Sequence, residues 1–389
     1  MGSTRYVLLD GPRITGTPKQ VILFLSSFIS IVKLLAQKWD PIVIKDTSDL
    51  KNGFNYYNNY KGSKDYLLLG CWDAGLRQSI VKLVRISDGK ELYKWAPDIK
   101  ILNRKYNLTT TYGVKNYLDV HTTRLMHPKL LNDGSLVFVA GGIYKIDKNS
   151  KLIWSNDMPC HHSVEVGPDS NFWICGYNSS LVNSEKYHME DDAIKEISAK
   201  DGRVIFEKSV YDILMENGYS RGYFFINPII SDFIPSYLDR THLNQVQPVW
   251  SDSRYWKKGD LFISLRHQNM VFLYRPSENK IIWLQNGPWL RQHNVSIVDS
   301  SRISIFGNNV LDVKFMNDRR RLIDGHNTLY LYDFSTNTLS TPYETLFQYL
   351  KIGTITEGRS RVFENGDVFV EETNFGRLIY GDPEGVKWI

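Results

Sequence analysis

Cysteine is scarce in this chain. Cys71, Cys160 and Cys175 are the only three in 389 residues, an odd number with no Cys-x-x-Cys spacing. That pattern argues against a disulfide framework and against a thiolate zinc site. Cys160 lies just before His161, which would suit a reactive thiol, but a small buried hydrophobe is the simpler reading. Long apolar runs are equally scarce. Outside strand-like segments only residues 21–36 are strongly apolar, and these about sixteen positions fall short of the roughly 20 that span a bilayer. Serines and Lys33 interrupt them. A short membrane anchor, an amphipathic helix lying on a membrane and a helix packed on the domain remain open. No glycine-rich phosphate loop is present, so nothing points to a bound nucleotide cofactor. Charge of one sign is also lacking. The net charge of +5 is spread along the chain, and a nucleic-acid partner is not indicated. The run Arg319-Arg320-Arg321 reads as a solvated loop.

What is present is β signal. Aromatic residues make up 13% of the chain, which suits strands better than a helical bundle. From about residue 60 onward, short alternating segments are separated by Gly, Asn, Asp and Ser turns. One unit recurs six times: an apolar-alternating strand, a polar turn, and a second strand usually closing on an aromatic. It runs from 82–86 to Trp95, 143–146 to Trp154, 193–197 to Phe206, 271–274 to Trp283, 329–332 to Leu339 and 377–380 to Trp388. A second hairpin with a turn of the Asp/Asn-Gly kind precedes several copies, at 129–138, 166–174 and 362–370. Hairpins repeated at this period predict one four-stranded blade per copy. The expected fold is all-β, a six-bladed β-propeller with a short N-terminal helical segment and loop or helix inserts. Residues 1–45 form the N-terminal segment and 46–389 the propeller. A helix is expected within 211–216, and residues 312–327 read as a polar, basic loop. Ring closure falls either to residues near 40–45 or to chain beyond this sequence.

Aligning the inner hairpins on their turns places His162, His242 and His293 at the entry of the innermost strand in three blades. Propeller geometry then makes them converge on one channel mouth. Asn244 shares a face with His242, because residues two apart on a strand point the same way. Arg266, Tyr177 and Asn308 fall at the ends of the next strands. His161 and His267 have the opposite parity and are expected between blades or beside loops, while His121, His127, His188 and His326 read as core histidines. Several imidazoles suggest a metal first. However, an arginine lies in the constellation and no carboxylate shares its register, which favours an oxyanion over a metal. In such a site one histidine can act as nucleophile and another as proton donor.

At His242-Leu243-Asn244, Ser264-Leu265-Arg266-His267-Gln268, Ile282-Trp283, Gln292-His293 and Phe306-Gly307-Asn308 the sequence resembles the arylsulfotransferase family. His161-His162 followed by Gly167-Pro168-Asp169 fits as well, and the resemblance covers about residues 65–389. It implies ping-pong transfer of a sulfuryl group from an aryl sulfate ester to a phenolic or other hydroxyl acceptor, without a cofactor. His293 would match the nucleophile that becomes a sulfohistidine. Arg266, Asn244 and His162 would hold the sulfate oxygens, with His161 and Asn308 as further binding residues and His162 favoured over His161 by register. His242 would protonate the departing phenolate and later deprotonate the acceptor. A periplasmic or other extracytoplasmic location, membrane association through 21–36 and a homodimer are expectations of the same kind. Gln245 stands where the family often has serine, and Gly307 replaces an aspartate. A non-catalytic propeller binding an anionic ligand, glycan or protein at the same mouth, and metal-dependent hydrolysis at the three histidines, are the alternatives.

Overall fold

The computed structural model describes residues 53–57, 60, 65–104, 123–178, 191–219, 239–315 and 318–389. These all fall in the compact unit Lys51–Ile389. Residues 21–36, together with 40–45, His121 and His188, lie outside the described residues. Among the described residues no helix is long and apolar enough to cross a membrane.

Six antiparallel sheets follow one another along the chain, so the protein is a six-bladed β-propeller. Blade 1 holds β1 (Tyr66–Asp73), β2 (Gln78–Arg85) and β3 (Glu91–Trp95). Blade 2 is β4 (Met126–Leu130), β5 (Leu136–Ala140), β6 (Gly142–Ile146) and β7 (Leu152–Asn156). Blade 3 is β8 (Cys160–Val166), β9 (Phe172–Tyr177), β10 (Asp192–Ile197) and β11 (Val204–Ser209). Blade 4 is β12 (Leu243–Pro248), β13 (Leu261–Leu265), β14 (Met270–Arg275) and β15 (Lys280–Asn286). Blade 5 pairs β16 (Asn294–Ile297), β17 (Arg302–Gly307), β20 (Thr328–Asp333) and β21 (Thr338–Ser340). Between β17 and β20 it carries a separate hairpin, β18 (Val310–Phe315) with β19 (Asp318–Ile323). Blade 6 is β22 (Arg359–Val362), β23 (Val368–Glu372), β24 (Arg377–Asp382) and β25 (Gly385–Trp388).

Five of the six repeats seen in the sequence are the third and fourth strands of a blade, and in blade 1 the repeat is β2 and β3, the second and third of its three strands. The closing aromatics bind the next blade. Trp95 Nε1 donates to the Gly134 carbonyl at 3.1 Å and Trp154 Nε1 to the Ala199 carbonyl at 3.1 Å. Trp283 Nε1 donates to the Tyr332 hydroxyl at 3.2 Å. Between these contacts the apolar faces of adjacent sheets bury one cluster for each consecutive pair from blades 1 and 2 to blades 5 and 6. Phe272, Leu243 and Ile263 pack with Ile194 between blades 3 and 4, and Phe262 and Val271 pack with Ile303 and Ile305 between blades 4 and 5. The core is thus a ring of interblade layers. It leaves the axis to polar residues.

Two expectations about the inserts differ in outcome. The helix is Val210–Glu216, capped by the Ser209 hydroxyl accepting from Asp212 N at 3.2 Å. The loop expected over 312–327 is instead largely the β18–β19 hairpin. Apolar residues at 311, 313 and 315 alternate with polar ones, and that period suits a strand. At the end of the chain, backbone residues 55 and 57 bond to the outer edge of β25. Asn55 N donates to the Ile389 carbonyl at 2.7 Å and Tyr57 N to the Lys387 carbonyl at 2.9 Å.

Candidate active site

The first strands β4, β8, β12, β16 and β22 pack side by side around the axis. Their starts gather the functional side chains. His162 lies in β8, and His242 and His293 immediately precede β12 and β16. His162 and His242 have left-handed backbone, φ 53° and 51°, as does His127 at the start of β4, φ 51°. Pairing registers slip at or beside these residues, between His161 and Val164, Leu243 and Gln245, and Met126 and Lys129. Such bulges re-aim a side chain that regular alternation would point elsewhere. In blade 5 the left-handed residue is Arg291, φ 55°, two positions before His293.

The structure brings the three expected histidines together. One nitrogen from each of His162, His242 and His293 lies within 4.8 Å of the others. Ring centroids are 5.0 Å apart for His162 and His242, and 6.3 Å for His162 and His293. Burial holds all three imidazoles well below the usual histidine range. Arg266 deepens the effect on His242 and His293, and His161 does so on His162. At neutral pH these rings are predominantly uncharged.

His293 has both nitrogens engaged. Nδ1 lies 2.7 Å from Asn308 Oδ1 and 3.2 Å from the Arg291 carbonyl, and Nε2 accepts the Glu357 backbone N–H at 3.1 Å. Asn308 is itself fixed, its Nδ2 donating to the carbonyls of Thr354 at 3.1 Å and Glu357 at 2.8 Å. Its oxygen must therefore face His293, which puts the proton on Nδ1 and the lone pair on Nε2. Asn308 is spent on protein contacts and orients the histidine. Asn244 is similarly half-committed, with Nδ2 donating to the Gln292 carbonyl at 2.7 Å and Oδ1 buried without a hydrogen-bond partner. What it still offers is an acceptor, suited to a hydroxyl rather than to a sulfuryl oxygen. His161 pairs through Nδ1 with His162 Nδ1 at 2.8 Å, its Nε2 lies 3.3 Å from Asp192, and its ring centroid is 4.6 Å from that of Tyr177.

Several residues here were not singled out from sequence. Asp239 is buried, and its carboxylate lies 2.5 Å from His242 Nδ1. It sits in a loop with no period, so no pattern marked it. His267, expected between blades or beside loops, bonds the Asp239 carbonyl ahead of β12 and also lies against the site, its ring centroid 4.5 Å from that of His242. Arg291, nearly fully buried, adds a second cation that lowers both His242 and His267. His127, read as a core residue, accepts from Arg359 Nη1 at 2.6 Å. Its left-handed φ is shared with His162 and His242.

Further along the channel, Glu165 of blade 3 collects Lys129 of blade 2 at 2.6 Å, Gln245 of blade 4 at 3.1 Å and Arg359 of blade 6 at 2.9 Å. Burial pushes its carboxyl up, but Lys129 and then Arg359 outweigh that and bring it to about 2. This network forms a polar floor beneath the histidines. Cys160 and Cys175 are buried, and burial pushes the Cys175 thiol to about 12 and the Cys160 thiol up as well. Neither is a thiolate nucleophile at neutral pH.

Two groups have donor atoms spaced for a metal: His162, His242 and His293, and Asp239 with His242 and His267. In the structure His293 Nε2 accepts the Glu357 N–H, which any ligand at that nitrogen would displace, and His267 Nε2 accepts from Arg266 Nη1 at 3.0 Å. Arg266 and Arg291 would also repel a cation. Two guanidiniums and neutral imidazoles in a partly buried site suit an oxyanion instead.

Comparison with solved structures finds similar chains at low identity. One is a protein of unknown function from Bacteroides caccae, with 11% identity, TM-score 0.48, and 83% of this chain and 92% of that chain covered. Another is Kuenenia stuttgartiensis hydrazine synthase, with 9% identity, TM-score 0.43, and coverage of 78% and 71%. A streptogramin B lyase gives 11% identity, TM-score 0.39, and coverage of 78% and 74%. A search of curated proteins found no match. The family model for arylsulfotransferase (ASST) matches residues 127–388, from His127 at the start of blade 2 to Trp388 at the end of blade 6. The chain belongs to the arylsulfotransferase family.

Proposed function

We propose that this protein transfers a sulfuryl group from an aryl sulfate ester to a phenolic or other hydroxyl acceptor by a ping-pong route through His293. Family membership supports sulfotransferase chemistry in general. The observation that carries the specific reading is the tautomer of His293, with Nδ1–H held by Asn308 Oδ1 and a lone pair left on Nε2. An imidazole so fixed is a nucleophile without prior deprotonation. In the first half-reaction Nε2 attacks sulfur, an N–S bond forms and the S–O bond to the aryl group breaks. The phenolate leaves with a proton from the His242 imidazolium, whose charge Asp239 stabilises. In the second half-reaction neutral His242 takes the acceptor's proton while the acceptor oxygen attacks sulfur and His293 departs. Arg266 and Arg291 balance charge on the sulfuryl oxygens, and the Glu357 N–H, displaced from Nε2, is placed to join them.

The test is 4-nitrophenyl sulfate with phenol as acceptor, followed by nitrophenol release and product mass. A burst of nitrophenol and a sulfuryl adduct on His293, both absent in His293→Ala, are expected. Sulfate binding with no adduct and no turnover from pH 6 to 9, the range around which histidines change charge, would leave a binding propeller instead.

A further inference from the structure

Arg266 lies in the turn between β13 and β14, on the only stretch where an arginine and a histidine of the site are chain neighbours. Its backbone N–H donates to the His242 carbonyl at 3.1 Å, and the next N–H, of His267, donates to the Thr241 carbonyl at 3.1 Å. The turn is thereby tied to the strand entry that carries His242. The guanidinium needs a separate restraint, because a long side chain retains about 2 kcal/mol of rotamer entropy.

His267 supplies one such restraint. Arg266 Nη1 lies 3.0 Å from His267 Nε2, and His267 Nδ1 lies 2.8 Å from the Asp239 carbonyl oxygen. An arginine can only donate and a carbonyl can only accept. The two contacts therefore admit one form of the ring: neutral, with hydrogen on Nδ1 and the lone pair on Nε2 facing Arg266. The groups facing His267 agree with that form. Burial and the neighbouring His242 hold its pKa well below the usual range, Asp239 opposes them, and Arg266 and Arg291 add to the lowering.

We infer that His267 is a positioning residue for sulfuryl binding: it acts through Arg266, accepting a guanidinium N–H so that the cation stays turned toward the three converging histidines. Asp239 serves two histidines at once, presenting its carboxylate to His242 and its main-chain carbonyl to His267. The sulfuryl-holding arginine and the proton-transferring histidine are thus set by one residue ahead of β12. This inference rests on the proposed anion site but not on turnover.

The experiment is a double-mutant cycle read by calorimetric titration of the full chain with inorganic sulfate. His267→Gln, whose amide oxygen can accept from Arg266, is expected to bind within about threefold of the parent. His267→Leu, lacking the acceptor, and His267→Asn, which can still donate to the Asp239 carbonyl but falls short of Arg266, are each expected to weaken sulfate by about tenfold, a loss of about 1.4 kcal/mol. In the Arg266→Ala background none of the three should change the remaining affinity further. His267→Asn keeps the contact that ties the turn to Asp239, so it answers the question even where His267→Leu folds poorly. Equal losses with and without Arg266, or a glutamine no better than leucine, would overturn the inference. Coupling observed in a protein that turns over no aryl sulfate would uphold it while removing the catalytic proposal, and turnover with additive losses would do the reverse.

Discussion

Replacing Asp239 by asparagine should damage one half of the reaction selectively. The carboxylate is nearly fully buried and lies 2.5 Å from His242 Nδ1, so on the proposed route it stabilises the imidazolium that protonates the leaving phenolate. A hydrogen bond to a charged partner contributes about 1.5–3 kcal/mol. At about 1.36 kcal/mol per factor of ten, its loss lowers the reactive His242 cation by roughly 10- to 150-fold. That factor should appear in full for a donor whose phenol has an ordinary pKa of about 10, because such a phenolate needs the proton as it leaves. It should nearly vanish for 4-nitrophenyl sulfate, whose phenolate is stable on its own. The assay is the burst rate of phenol release for a series of substituted aryl sulfates, plotted against leaving-group pKa. Asp239→Asn should give the steeper slope. The main-chain carbonyl to His267 is retained, so inorganic sulfate affinity should hold within about twofold on the scale of that 1.36 kcal/mol conversion. A uniform loss across the series, or an equal loss of sulfate affinity, would show that Asp239 shapes the pocket and does not act on the proton.

Other perturbations have distinct signatures. Asn308→Ala removes the group that fixes the His293 proton on Nδ1, so adduct formation should slow by about the 10²-fold at the low end of acid–base effects, measured by single-turnover mass spectrometry with protein fold intact. The four imidazoles of His162, His242, His267 and His293 are held below 6.5 when folded. Between 6.5 and those lower values the unfolded chain binds protons that the native chain refuses, so the stability present above pH 6.5 is lost as pH falls. Urea unfolding from pH 7.5 to 5 should show this decline, and it should lessen in His162→Gln. Glu165→Gln leaves Lys129 and Arg359 in the channel without their shared carboxylate. A loss of about 3 kcal/mol, at the lower end for a broken buried pair, is expected in the urea midpoint, and restoration by pairing it with Arg359→Gln would confirm the cause.

The blades were legible because each outer hairpin repeats a strand period and all but the one closing on Leu339 end on an aromatic, of which Trp95, Trp154 and Trp283 reach the next blade. The convergence of His162, His242 and His293 was legible because the ring maps sequence register onto one mouth. What periodicity does not carry is the orientation of those side chains. His127, read as a core histidine, is hydrogen-bonded by Arg359, and only the backbone shows that its left-handed φ beside a bulge repeats that of His162 and His242. Asp239 and His267 were missed because their roles depend on how a turn between β13 and β14 meets the entry of β12. The hairpin β18–β19 was missed for another reason: Arg319 to Arg321 suggested a solvated loop, while alternation at 311–315 was already present.

The distribution of protons follows from this arrangement. Sulfuryl transfer asks two neighbouring histidines to be in opposite states, a neutral nucleophile and a charged proton donor. Environments that push two such groups apart assign their roles. His293 meets a backbone N–H at Nε2, where a proton would clash, and Arg266 lies near enough to disfavour charge. His242 feels Arg266 as well, but of these two histidines it is the one with a carboxylate at hydrogen-bonding distance from a ring nitrogen, and Asp192 favours its charged form. A fully protonated cluster would attract sulfate more strongly in the ground state while abolishing the nucleophile, and ground-state binding does not raise the rate of the chemical step. The two arginines resolve this conflict by supplying permanent positive charge that no imidazole need carry. For poor leaving groups the rate should therefore climb as pH falls toward the His242 pKa and collapse once His293 is protonated, whereas for nitrophenyl donors only the collapse should remain.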